Sequence, residues 1–90
     1  MSKFFFDVTD GDFIPDLIGL DLPDIDAARA HSVALCAELL NSDQAKFWQG
    51  EEWLIEAKDD CGLLLFTLVF MARDTPVTRT HRPRPVKAPA

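Results

Sequence analysis

The residues best equipped for chemistry are acids: Asp7, Asp10, Asp12 and Asp16 crowd one short stretch near the N-terminus. Carboxylates this dense can chelate a hard cation or work as a general acid and base. A calcium loop needs ligands at alternating positions around a glycine and a glutamate further along. Phe13, Ile14 and Pro15 break that alternation. Turn chemistry accounts for most of these acids, because aspartate bonds readily to nearby backbone. An acid–base pair also needs a cleft that shifts its pKa values. A chain of 90 residues with one substantial helix offers little concavity, so solvated carboxylates are expected.

His31 and Cys36 come next. Five residues apart on a helix, they point about 140° away from each other and cannot share a metal or form a nucleophile–base pair. His81 lies where nothing would orient it. Cys36 reads as a small buried hydrophobe, and Cys36 and Cys61 together as reduced thiols of a cytoplasmic protein. Phosphate-cradling glycine loops and nucleophile elbows are absent from the sequence. Phe47, Trp48 and Trp53 could stack nucleic-acid bases, but Glu51 and Glu52 flank them, so core or interface packing is expected. The expectation is a non-enzyme with no catalytic, cofactor-binding or metal-ligating residue.

Charge divides the chain. Residues 1–71 carry 4 Lys and Arg against 14 Asp and Glu, while residues 72–90 carry 5 against 1. An acidic body repels nucleic acid and anionic membrane, so neither is an expected partner; Arg79, Arg82, Arg84 and Lys87 are the candidates for any phosphate contact. The stretch 72–90 holds Pro76, Pro83, Pro85 and Pro89, with only Val77 and Val86 as large aliphatics. It is read as a flexible tail after a single domain of residues 1–71. The N-terminal apolar stretch is too short for a signal peptide, and the run from Leu63 to Ala72 is too short to span a bilayer.

Periodicity supplies the elements. Lys3–Thr9 alternates as a strand with Phe4, Phe6 and Val8 on one face. Asp10-Gly11 is a turn, and Leu17–Leu22 is read as a second strand bent at Gly19. Asp24 is placed to cap a helix from Ile25 to about Leu40, whose apolar stripe is Ile25, Ala28, Ser32, Leu35, Cys36 and Leu39. Ser42 is the expected cap of a short further helical segment. Trp53–Lys58 alternates again, and Asp59-Asp60-Cys61-Gly62 reads as a hairpin turn leading into Leu63–Met71. The expected class is α+β: a small antiparallel sheet of three to four strands, in β-β-α-β-β order, with one long helix on one face.

Leu63–Met71 is apolar on both sides, with Leu64, Phe66, Leu68 and Phe70 alternating against Leu63, Leu65, Val69 and Met71. A strand apolar on both sides must be covered on both. One helix covers one face, so the sequence predicts a homodimer, with Phe5, Trp53, Leu64, Phe66, Leu68 and Phe70 as interface candidates.

The ordered pattern Phe4-Phe5-Phe6-Asp7-x-x-Asp10-Gly11, Ile14-Pro15-Asp16-x-x-Gly19, Leu22-Pro23-Asp24-x-x-Ala27-Ala28, Phe47-Trp48-x-Gly50-x-x-Trp53 and Asp59-x-x-Gly62 resembles a family of short bacterial proteins known only as a domain of unknown function. No activity comes with that resemblance. The expected role is a cytoplasmic interaction or regulatory protein, acting as a homodimer and free to recruit a further protein. The alternative is a nucleic-acid-linked regulator, since the strand–turn–strand–helix–strand plan is loosely similar to HicB-type antitoxins.

Overall fold

Alternation along the first strand decides the layering. In a computed structural model that describes residues 1–50 and 52–80, β1 (Ser2–Thr9) buries Phe4, Phe6 and Val8 on one face. β4 (Trp53–Asp59) lies antiparallel beside it and buries Trp53, Ile55 and Ala57 on the same side, with Phe6 opposite Ala57 and Val8 opposite Ile55. β5 (Leu64–Phe70) pairs antiparallel with the far edge of β4.

The hairpin between β4 and β5 closes as its residues dictate. Asp59 Oδ1 accepts from the backbone N–H groups of Cys61 and Leu63, and Gly62 takes a φ of 81°, which a side chain resists.

On the near edge of β1 there are two short strands instead of one. β2 (Phe13–Ile14) pairs with Val8 and Thr9, and β3 (Leu20–Leu22) pairs with Ser2–Phe4. The expected strand from Leu17 therefore begins only at Leu20. Residues 15–19 leave the ladder because Pro15 lacks a donor and Gly19 turns at a φ of 78°. The five strands form one sheet, in the order β2-β1-β4-β5 with β3 also on β1.

The long helix α1 (Ile25–Ser42) covers the Phe4/Phe6/Val8 face. Its N-cap is Asp24, whose carboxylate accepts from the Ala27 N–H at 2.8 Å. Ala28 and Ser32 are buried, and Ile25, Leu35, Cys36 and Leu39 pack against the core, the stripe expected from periodicity. A separate short helix, α2 (Gln44–Phe47), is capped by Asp43, which accepts from Lys46 N–H. The expected cap, Ser42, instead donates its hydroxyl to the Leu39 carbonyl and remains in α1. A 3₁₀ turn at Pro76–Thr80 lies in the segment read as tail. The architecture is α+β in strand–strand–helix–strand–strand order. Among the described residues no helix is long and apolar enough to cross a membrane.

Candidate functional site

The gap between β2 and β3 leaves the Phe6 N–H without a strand partner, and a side chain fills the place. Asp16 Oδ2 accepts from Phe6 N–H at 3.0 Å, while Oδ1 accepts from the N–H groups of Ile18 and Gly19, also at 3.0 Å. The Asp16 N–H in turn donates to Asp7 Oδ1 at 2.9 Å, and Lys58 on β4 donates to Asp7 Oδ2 at 2.8 Å. Two carboxylates thus staple the interrupted edge to the sheet. Burial pushes the Asp7 carboxyl up, but the Lys58 ammonium and the Asp16 N–H outweigh it and hold Asp7 below its ordinary value. Asp16 behaves alike: burial raises it, and the three backbone donors, aided by His31, bring it down. Both acids stay ionised, and their oxygens are occupied.

The other described acids are likewise engaged or solvated. Asp10 and Asp12 meet Lys46 of α2 at 3.4 and 3.6 Å, tying that helix to the β1–β2 turn. Asp59, Asp60 and Cys61 bring ligand atoms within 4.8 Å of one another at the exposed hairpin, but Asp59 Oδ1 already serves the turn.

The opposite edge is built quite differently. β5 reads Leu-Leu-Phe-Thr-Leu-Val-Phe, without charge, proline or glycine, and β4 is its only strand neighbour among the described residues. Its register on β4 slips between Ala57 and Lys58, so that Lys58 faces Leu64 and Ala57 faces Phe66. Leu65 is the extra residue of this bulge, which corrects the expected alternation: Leu64 does not share a face with Phe66, Leu68 and Phe70. Those three pair with Ala57, Ile55 and Trp53, so they lie on the helix side, half-buried against the core.

Each interface candidate can now be located. Trp53 is 1% exposed, with its ring 5.2 Å from that of Phe47 and 6.0 Å from that of Phe70. Phe47 therefore closes this end of the core, while Trp48 is largely exposed. Phe66, Leu68 and Phe70 are half-covered. Phe5 and Leu64 lie on the face away from the helix, where Asp7, Glu56 and Lys58 also stand. That face is mixed and partly charged, so the apolar character expected of the last strand does not extend across it. Arg79 falls in the 3₁₀ turn; the other tail candidates, Arg82, Arg84 and Lys87, lie outside the described residues.

The staple went unread in the sequence. Asp16-x-x-Gly19 signals a local turn, but its bond to Phe6 spans ten positions and depends on how the edge folds.

Fold and edge chemistry together define a two-layer α+β domain with one edge stapled shut and, among the described residues, one edge open. The chain belongs to the family described as Domain of unknown function (DUF6894), whose family model matches residues 3–72. No curated protein and no solved structure matches it.

Proposed function

We propose that this protein is a non-enzymatic cytoplasmic interaction protein that acts as a homodimer, joined along the β5 edges. The observation that carries this reading is the contrast between its two sheet edges. Unpaired strand edges invite pairing with other chains, and proteins blunt them with prolines, charges, bulges or short strands. The β2/β3 edge uses several of these: Pro15, the Asp16 staple and strands of two and three residues. β5 offers seven uncharged residues, bulged only near Leu65. A second copy satisfies those backbone groups by antiparallel pairing about a two-fold axis. With the axis at Thr67, Phe66 of one subunit opposes Leu68 of the partner subunit on the helix side, where both residues are half-covered.

The absence of catalysis is supported by the acids themselves. Asp7 and Asp16 are held ionised by donors, the reverse of the raised pKa that a general acid needs at neutral pH. The free cysteines Cys36 and Cys61 suit a reducing compartment. The experiment is a double substitution, Thr67→Lys with Val69→Lys, on the exposed face of β5. It should yield a folded monomer, because four like charges then meet across the two-fold axis. A variant that keeps the mass of the wild type in solution places the contact elsewhere.

A further inference from the structure

From Phe4 to Ala28 the chain has seven aspartates and no lysine or arginine. In the middle of this acidic stretch, Phe13, Ile14, Leu17, Ile18 and Leu20 are all exposed, Leu17 at 85% and Ile18 at 83%. Single exposed aliphatics are ordinary, whereas a cluster of them rimmed by charge marks a contact surface. Behind the loop lies a cleft of about 450 Å³ against α1, with Val8, Ile14 and Leu35 as apolar walls and Asp16 and His31 as polar ones. The loop is held in place: Asp16 accepts from Phe6, Ile18 and Gly19, so ordering it on binding costs little entropy.

We propose that this loop and cleft dock a cationic amphipathic peptide segment of another protein. Its aliphatic side chains enter the cleft beside Leu17 and Ile18, and its lysines or arginines meet the aspartate rim. Charge selects this occupant. Asp12 and Asp21 are exposed; Asp12 lies 3.6 Å from Lys46, and Asp21 has no ion-pair partner among the described residues. Nucleic acid and anionic membrane are repelled by such a rim. A second copy would bring the same aspartates face to face, and like charges opposed across an interface are costly. A partner helix with aliphatic anchors along one stripe and basic residues beside it fits both the apolar cleft and its sign.

The test titrates the full chain with a dye-labelled synthetic peptide of leucine and lysine in amphipathic helical order, read by fluorescence anisotropy. Saturable binding is expected. It should weaken about tenfold when Leu17→Ser and Ile18→Ser remove the apolar contact, and it should weaken further with salt. The same peptide with glutamate for lysine should not bind. Both substituted residues are exposed, so an unchanged unfolding midpoint verifies that the variant is folded. Equal affinity of variant and wild type overturns the proposal, as does equally tight binding of a lysine–serine peptide, which would reduce the contact to charge alone. A fall in the variant's own mass in solution would also overturn it, since the patch would then be an interface between copies.

Discussion

Asp16 is a strand substitute made from a side chain. Its carboxylate takes the place of a carbonyl that β2 and β3 do not supply to Phe6, and it fixes the turn at Ile18 and Gly19. Hydrogen bonds to an ionised acceptor contribute more than neutral ones, so Asp16→Ala should cost about 3 kcal/mol in a denaturant titration. Acid should act through the same atoms. Asp7 and Asp16 have native pKa values below the ordinary 3.8, so the unfolded chain takes up protons first as pH falls. Their stabilisation is complete above that value and is lost as pH drops through the depressed native values. Asp16→Asn, which cannot titrate, should therefore lose less stability than wild type between neutral pH and about pH 3. Equal losses would show that other groups govern acid unfolding. A second residue-scale comparison concerns glycine. A Cβ at Gly19 would lie 2.9 Å from Lys3 Cγ and from Phe5 Cε1, whereas one at Gly62 meets open space. Both have positive φ, so Gly62→Ala should cost about 1 kcal/mol and Gly19→Ala clearly more, measured as a difference in unfolding midpoints. The Asp24 cap was readable because its partner is three residues away. Asp24→Ala should cost about 1 kcal/mol. The Asp16 bond was not readable, since nothing local to Asp16 names Phe6.

At the scale of elements, the helix stripe and the β4–β5 hairpin follow from period and turn chemistry, and both stand where the sequence puts them. Two features depend on tertiary context and escape it. The bulge at Leu65 is set by register against β4, and it moves Phe66, Leu68 and Phe70 to the helix side while leaving Leu64 outside. The break between α1 and α2 depends on whether Ser42 or Asp43 captures a backbone donor; both have capping side chains, and the carboxylate takes the role. The bulge changes what substitutions on β5 should do. Phe66→Lys puts a charge among half-buried core contacts and should unfold the chain. Thr67→Lys and Val69→Lys are on the exposed face and should leave the monomer intact, as judged by circular dichroism and a retained cooperative transition. Comparable unfolding by both would mean that the exposed face of β5 is packed.

At the scale of the whole molecule, the chain treats its two edges in opposite ways. One is short, broken by proline and stapled by carboxylates; the other is long, uncharged and, among the described residues, open. The last strand does expose Leu64 and Val69 on the face away from the helix, but Asp7, Glu56 and Lys58 share that face, and the proposed dimer runs along the β5 edge instead. Pairing through β5 would join two sheets into one continuous sheet with both helices on the same side. Sedimentation equilibrium of the wild-type protein across the micromolar range tests this most directly. The mass should be twice the 10.1 kDa of the chain. A mass of one chain at high micromolar concentration would contradict it.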